Sequence, residues 1–391
     1  MDKNEFLRIS RRDALKGGLA LASAMAASQL FGGRALAAQS LTLADIGVGD
    51  TGDWSKFSAG TGREVNVVSM GNAPSAVVNQ LLAGGGMSNF NIINIVGGMQ
   101  EPLVQNDLIR KLDTSRMPNW LKNSYISEYL SQGTPGFEFI GYDGEVYGVP
   151  TVLQGDSFAY LPDETGELDS YAALFDPKFK GFVALEDNYT TAGQKTALFL
   201  NASGQATIAD PSDMTPEELK TVIDFLIEKK RAGQFRVIWS SFEQAVNLLT
   251  SKEVHVMDCW EPMVFVARDQ GTNARYAAPK EGYLLWAMAA YIVNNPEMSD
   301  ADLEDTYKLL DFMLGGWYGA KITLLRGYMT NPLAPEYAGS HPEEFPAAEA
   351  QRVGEITDGV RAKFEKGGTW QNRWPTHVDV YEEEWQRFKS A

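Results

Sequence analysis

Apolar and polar positions along the chain predict strands and helices in alternation. Apolar runs at 41–44, 64–68 and 91–96 each have the length of one strand and are bounded by turn residues. Residues 75–82 place apolar side chains three and four positions apart, which predicts a helix that the glycines at 84–86 end. The order of strand, helix and strand predicts a parallel α/β sheet.

The rest of the chain continues this alternation and adds clear helix starts. Thr215 and Glu218 are spaced as a capping box, which predicts a helix over the residues that follow. Ser241 and Ser299 precede apolar stripes with helical spacing and predict two more helices. Residues 254–258 form another strand-like run. Alternating elements with short connections predict α/β lobes rather than a β sandwich.

Three loops that follow predicted strands are candidate ligand contacts. In open α/β sheets, ligands bind beyond the carboxyl ends of the strands. The loops at 45–49, 97–100 and 258–262 have this position and are rich in glycine, aromatic or acidic residues. Their aromatic side chains could line a ligand cleft or could belong to the core, and the pattern alone leaves both open.

The first forty residues have the order of a removable export signal. Arg11 and Arg12 precede a charge-free run at 17–33, and the small residues at 35–37 end it. The alternative, an amphipathic first helix, lacks a polar face. Paired arginines point to the twin-arginine route, with cleavage after Ala37 and a periplasmic location. The 354 residues left after cleavage exceed a single typical core, so two lobes are expected.

Composition excludes several classes of partner. The formal net charge of −17 becomes −20 without the leader, so the protein should repel nucleic acid and anionic membrane surfaces. No run after the leader approaches the roughly 20 apolar residues that span a bilayer.

Cys259 is the single cysteine and is expected to be a buried, inert thiol. The three histidines lie far apart, so neither a metal site nor a cofactor is expected.

Several short motifs occur in the order and spacing of one known family. They are W-E-P-M-V-F-V-A-R at 260–268, A-P-K-E-G at 278–282, G-Y-M-T-N-P at 327–332 and W-Q-N at 370–372. The chain thereby resembles the solute-binding proteins of ABC importers, in their spermidine/putrescine-binding branch. The resemblance implies a type II periplasmic binding fold, in which two α/β lobes close on a ligand in the cleft between them. Such a protein is not an enzyme, because ligand binding only shifts an open-to-closed equilibrium.

The resemblance also implies how the chain is divided and what it binds. Lobe 1 is expected to take residues 41–152 and 286–333, and lobe 2 to take residues 153–285 and 334–391. The expected partners are a small-molecule ligand and an ABC permease in the inner membrane. A monomer that does not bind nucleic acid is expected.

Ligand contacts are carried over from the family position by position. Trp260 and Trp286 match its ligand-facing tryptophans, Asp187 matches an acidic contact, and Gln371 matches a polar one. Neighbouring residues of suitable chemistry complete the predicted site, and these are Glu261, Asp156, Gln154, Thr190, Met288 and Asp45.

Two positions depart from the polyamine binders of this family. Those proteins have an acid at each of the positions that Thr190 and Met288 occupy here. A polyamine needs a carboxylate for each terminal ammonium, because an unpaired buried charge is very costly. The expected ligand is therefore a mono-cationic amine, a zwitterion or an amino-acid-like compound. One cation could still pair with the acids Asp187, Glu261, Asp258 and Asp156.

The residues of the chain fit three alternative functions less well. A ferric-ion binder of this fold supplies adjacent tyrosines, and the chain has no Tyr-Tyr pair. An anion could bind the amides of glycine-rich loops at helix starts, and Gly97 with Gly98 would allow it. A periplasmic enzyme stays an alternative, although the chain lacks the G-x-S-x-G and G-x-G-x-x-G motifs.

Overall fold

The computed structural model describes residues 40–70, 79–81, 86–371 and 374–391. The predicted export signal and its cleavage site lie outside the described residues, as does most of the predicted helix at 75–82. Within the described ranges, no helix combines the length and the apolar character that crossing a membrane requires.

The described residues form one curled ten-stranded sheet and a separate two-stranded hairpin, with helices packed around them. The strands are β1 (Ser40–Asp45), β2 (Glu64–Ser69), β3 (Ile92–Val96), β4 (Gly141–Tyr142), β5 (Glu145–Val146), β6 (Gly148–Tyr160), β7 (Val183–Glu186), β8 (Phe235–Trp239), β9 (Val256–Cys259), β10 (Arg275–Tyr276), β11 (Tyr283–Ile292) and β12 (Gly368–Trp370). The α-helices with described bounds are α1 (Ser55–Thr61), α2 (Glu101–Gln105), α3 (Ser124–Tyr129), α4 (Pro162–Thr165), α5 (Gln194–Ala202), α6 (Pro216–Arg231), α7 (Phe242–Thr250), α8 (Glu261–Asp269), α9 (Asp300–Met313), α10 (Gly316–Arg326), α11 (Leu333–Ser340), α12 (Ala347–Lys366) and α13 (Val378–Ser390).

Two parallel units flank a central pair of long antiparallel strands. The main order is β2-β1-β3-β11-β6-β9-β7-β8, with β2-β1-β3 parallel at one end and β9-β7-β8 parallel at the other. The first part of β6 pairs with β11, and its last four residues pair with β9. Every residue of β6 and β11 is buried. The polar residues of these two strands are therefore buried where the two halves of the sheet meet.

Separate hydrophobic cores lie on the two halves of the sheet. The first contains side chains of β1, β3 and β11, and the other two pack around β6, β7 and β9. The C-terminal segments divide between them, since Val360 and Phe364 of α12 join the first core while Trp385 and Phe388 of α13 join the second. The lobe boundaries given above remain a prediction.

Most of the local sequence signals are confirmed. The strands predicted near the start of the chain pair in parallel, β1 with both β2 and β3. Thr215 and Glu218 form a capping box with both of its hydrogen bonds, and Ser299 begins α9 in the same way. Ser241 accepts a hydrogen bond from the amide of Gln244 at the start of α7. Side chains that satisfy the first free amides of a helix fix where it begins.

The loop predicted at 258–262 is shorter than expected. Asp258 and Cys259 belong to β9, and α8 already begins at Glu261, so Trp260 alone connects the two elements. Pro262 fits the first turn of the helix, where no amide donor is needed. Cys259 is buried as predicted, and burial raises the pKa of its thiol well above the ordinary value.

Candidate ligand-binding site

A group of buried ionisable side chains lies where β6, β9 and β7 run side by side. It consists of Asp156 on β6, Glu186 on β7, Asp258 on β9 and Lys195 in the first turn of α5, and is called the acidic cluster below. Lys195 and Asp258 form an ion pair in which neither side chain is exposed. The second Asp258 oxygen accepts a hydrogen bond from the Glu186 amide at 3.3 Å. The Lys195 ammonium thus pairs directly with Asp258 and lies near enough to Asp156 and Glu186 for their charges to act on it.

Burial shifts the proton affinity of two of these carboxylates. Burial raises the pKa of Glu186 to about 8; the Asp258 charge adds to this shift and Lys195 opposes it. Burial likewise raises the pKa of Asp156 to about 6, against the attraction of Lys195. At neutral pH Glu186 therefore holds a proton, and the acidic cluster carries about one surplus negative charge.

Two tryptophans border the acidic cluster from different elements. The Trp260 indole donates to Glu186 Oε2 at 3.1 Å, and its ring packs edge-on against Trp239 with 5.7 Å between centroids. Trp286 on β11 packs edge-on against Tyr328 with 5.3 Å between centroids. The two tryptophans predicted from the sequence therefore lie beside buried carboxylates, an environment that suits a cation or a flat polar group.

Three buried polar atoms in this region make no hydrogen bond with any described residue: Trp286 Nε1, Asp156 Oδ1 and Gln371 Oε1. The Trp286 indole lies near enough to the Asp156 carboxyl group to lower the pKa of Asp156. Trp286 Nε1 and Asp156 Oδ1 nevertheless do not have the geometry of a hydrogen bond. Leaving such atoms unpaired costs free energy. They offer one donor and two acceptors to a polar ligand.

A second buried charge pair adjoins the acidic cluster. Lys363 Nζ lies 2.6 Å from Glu261 Oε2 and donates to Gln154 Oε1 at 2.8 Å. Gln154 is the strand partner of Trp286 across β6 and β11. Two of the predicted ligand contacts, Glu261 and Gln154, are therefore already bonded to a lysine from α12.

Asp187 lies next to Glu186 in the sequence but has different partners. Its carboxylate accepts a hydrogen bond from the Trp385 indole at 2.8 Å and lies 3.3 Å from Lys389 Nζ. Both partners belong to the C-terminal helix α13. The structure thus turns Glu186, rather than Asp187, toward Trp260.

The remaining predicted contacts lie in local networks of their own. Thr190 donates its hydroxyl to Asn188 Oδ1 at 2.8 Å, in the turn that leads into α5. Met288 is only 1% exposed and belongs to the first core. Asp45 accepts hydrogen bonds from the Gly49 amide and from the Asn94 side chain, which hold the loop after β1. Thr190 reaches the acidic cluster through Asn188, whose side-chain amide donates to Glu186 Oε1 at 3.5 Å, whereas the contacts given for Met288 and Asp45 do not lead to the cluster.

Sequence reasoning missed Glu186, Lys195 and Lys363. The sequence does show two adjacent acids, Glu186 and Asp187, and neighbouring side chains of a strand point to opposite sides. Which of the two faces the cleft depends on strand register, which one sequence does not give. A buried lysine has no sequence signal of its own, because most lysines are exposed.

The chain was also compared with known proteins. The family model for bacterial extracellular solute-binding proteins matches residues 54–348. The chain belongs to this family. It is a substrate-binding component of an ABC transporter rather than an enzyme.

Curated relatives of this solute-binding protein carry polyamine names. Spermidine/putrescine-binding periplasmic protein 1 of Haemophilus influenzae is 23% identical over 344 residues, which cover 86% of this chain and 84% of the relative. The spermidine/putrescine-binding periplasmic protein of Escherichia coli is 26% identical over 253 residues, covering 63% of this chain and 64% of the relative.

Solved structures confirm the two-lobe type II fold expected from the sequence. A putative spermidine/putrescine ABC transporter from Listeria monocytogenes superimposes with a TM-score of 0.69, at 19% identity, covering 90% of this chain and 99% of that one. A structure described as a GABA receptor gives a TM-score of 0.63 at 16% identity, covering 90% and 97% of the two chains.

Proposed function

We propose that this solute-binding protein captures a small organic amine with one ammonium group by closing its lobes in the periplasm, and delivers it to an inner-membrane permease as a monomer. The observation that carries the proposal is the acidic cluster, in which three buried carboxylates lie near Lys195 and one of them, Asp258, forms its ion pair. A surplus of buried negative charge is costly unless a cation neutralises it. A ligand ammonium beside Asp156 and Glu186 would supply that cation.

The surroundings of the acidic cluster suit the rest of such a ligand. The faces of Trp260 and Trp286 can hold an ammonium through ring-face attraction or an apolar part by stacking. Trp286 Nε1 can donate to a ligand carboxylate, while Gln371 Oε1 can accept from an ammonium. A monoamine and an amino-acid-like zwitterion both fit this set of groups.

The names of the relatives support the amine class. Polyamine-binding proteins and a GABA receptor occur among the similar proteins, and their named ligands all contain amino groups. Thr190 and the buried Met288 supply no carboxylate for a second ammonium, which favours a ligand with one positive charge.

A ligand screen tests the proposal directly. The chain beginning at Ala38 is tested by thermal shift and calorimetric titration with γ-aminobutyrate, putrescine, spermidine, glycine betaine, a sugar and a sulfonate. A ligand that binds only the folded state raises the melting temperature by mass action. Stabilisation by the monoamine or the betaine supports the proposal. Tight binding of spermidine, or stabilisation by the sugar or sulfonate alone, contradicts it.

Replacing Trp260 by alanine is expected to weaken binding of the screened amine by about 2 kcal/mol or more, as at a buried aromatic hot spot. The indole supplies both a ring face and the hydrogen bond to Glu186. Phe182→Ala is the control, because that ring is 43% exposed and stacks on His255. Calorimetric dissociation constants decide the outcome, and an unchanged value for Trp260→Ala would remove this residue from the site.

Amine affinity is expected to rise as the pH is increased from about 6 to about 8. Because Glu186 has a pKa near 8 when the site is empty, it must release its proton to pair with a ligand ammonium. Binding at pH 7 should therefore release protons, up to about one per ligand. Titration calorimetry in two buffers of different ionisation enthalpy, neither of them a primary amine, measures this number. Identical binding enthalpies in the two buffers would contradict the role of Glu186.

A further inference from the structure

The Lys363 ammonium is enclosed by a complete set of hydrogen-bond acceptors. Its Nζ donates to Glu261 Oε2 at 2.6 Å, to Gln154 Oε1 at 2.8 Å and to the Gly155 carbonyl oxygen at 3.1 Å. An ammonium has three donors, so each of them is matched by one acceptor. This group of three acceptors around Lys363 is called the ammonium pocket below.

Aromatic rings and a glycine complete the ammonium pocket. Lys363 Nζ lies 4.7 Å from the centre of the Tyr276 ring and 5.6 Å from that of Tyr283. A Cβ atom at Gly155 would lie 3.1 Å from Lys363 Cβ and 3.2 Å from its Cδ, so the missing side chain makes room for the lysine stem. The Lys363 side chain is only 7% exposed. Carboxylate, carbonyl and ring faces together are the groups that recognise an organic ammonium.

The ammonium pocket and the acidic cluster meet on β6. Lys363 bonds to the Gln154 side chain and to the Gly155 carbonyl oxygen, and Asp156 of the acidic cluster is the next residue of that strand. Side chains two residues apart on a strand, such as those of Gln154 and Asp156, lie on the same face. Glu261 also directly follows Trp260, whose indole bonds to Glu186. Two cation positions therefore lie side by side, and the chain itself fills one of them.

We propose that Lys363 is a built-in cation that occupies the second ammonium position of the cleft and limits the ligand to a single ammonium. The inference rests on the proposed function and deepens it, because it names the residue that excludes diamines and polyamines. While Lys363 holds Glu261 and Gln154, a second ligand ammonium finds no free carboxylate at that end. Lys363 is thus a specificity-determining residue.

Replacing Lys363 by alanine tests this directly. The change removes a propylammonium-sized group, so propylammonium at millimolar concentration should raise the melting temperature of Lys363→Ala by more than it raises that of the natural protein. Putrescine should bind the variant at least tenfold more tightly than it binds the natural protein.

Lys366→Ala is the matched control. Lys366 lies three residues further along α12, is exposed, and donates to the Ala278 carbonyl oxygen at 2.9 Å. It also lies 5.6 Å from the Tyr283 ring, but none of its recorded contacts is with a carboxylate. Its removal should produce neither the propylammonium effect nor the gain in putrescine affinity.

A second pair of variants keeps the test decisive if Lys363→Ala folds poorly. Lys363→Met leaves the partly buried Glu261 without its ion-pair partner, whereas Lys363→Met with Glu261→Gln removes both charges. The double variant should melt at a higher temperature than the single one and should gain no putrescine affinity. A double variant that melts at or below the temperature of Lys363→Met contradicts the pairing.

The results also distinguish a failure of this inference from a failure of the proposed function. Folded Lys363→Ala that binds putrescine no better than the natural protein overturns the role of Lys363. If no amine binds the natural protein, the proposed function fails, while the propylammonium effect still shows whether Lys363 fills an ammonium pocket.

Discussion

Replacing Glu186 by glutamine is expected to weaken amine binding by about 100-fold or more, the lower range for losing one partner of a buried charge pair. Glutamine keeps the size of the side chain and can still accept the Trp260 hydrogen bond, but it cannot carry the negative charge that a ligand ammonium needs. In this variant, the increase in amine affinity between pH 6 and pH 8 should largely disappear. Calorimetric titration across this pH range measures both effects.

The neighbouring acid provides the matched control. Asp187→Asn should leave amine affinity within about threefold, since the carboxylate holds Trp385 and Lys389 of α13 rather than the acidic cluster. The Asp187→Asn substitution should instead lower the melting temperature of the protein. If Asp187→Asn abolishes binding while Glu186→Gln does not, the acidic ligand contact is Asp187, as the family resemblance implies. The choice of Glu186 from the structure is then wrong.

Glu186→Gln should also change how stability depends on pH. The folded protein holds the Glu186 proton up to about pH 8, whereas the unfolded chain releases it above its ordinary pKa of 4.5. The unfolded state is therefore favoured increasingly as the pH rises through this window, and the glutamate costs stability. Glutamine resembles the protonated form, so the ligand-free variant should be the more stable protein at pH 8 to 9. Melting temperatures across the pH range test this.

Replacing Lys195 by methionine is expected to lower the free energy of unfolding by about 3–5 kcal/mol, the cost of leaving a buried charge without its partner. Lys195 and Asp258 are both fully buried, and the Lys195 ammonium lies near enough to all three carboxylates of the acidic cluster for their charges to act on it. Urea unfolding of the ligand-free protein at pH 7 measures the loss.

An exposed ion pair gives the comparison. Lys220 and Asp224 are one helical turn apart on α6, with side chains 63% and 46% exposed. Lys220→Met should change the free energy of unfolding by about 0.5 kcal/mol or less, because water screens such pairs. Lys195→Met with Asp258→Asn should recover part of the loss caused by Lys195→Met alone. A loss from Lys195→Met no larger than that from Lys220→Met would show that the buried pair does not hold the acidic cluster.

The sequence by itself determined the local elements and the family. Thr215, Ser241 and Ser299 mark helix starts because their side chains satisfy backbone amides within a few residues, so the signal and its cause lie in the same short segment. The parallel pairing around β1 followed from the spacing of apolar runs. Trp260 and Trp286 were predicted as ligand contacts because they match the ligand-facing tryptophans of the solute-binding proteins that the chain resembles.

Only the tertiary structure decided which charged groups lie together in the candidate site. Glu186 and Asp187 are equal candidates in the sequence, and the register of β7 turns the first toward Trp260 and the second toward α13. Lys195 and Lys363 reach buried carboxylates 63 and 102 residues away. The net charge of a site depends on such long-range pairs, since one ammonium from a distant helix changes which ligand charge the site can accept. Local patterns fix the elements, and the packing of distant segments fixes the electrostatics of the site.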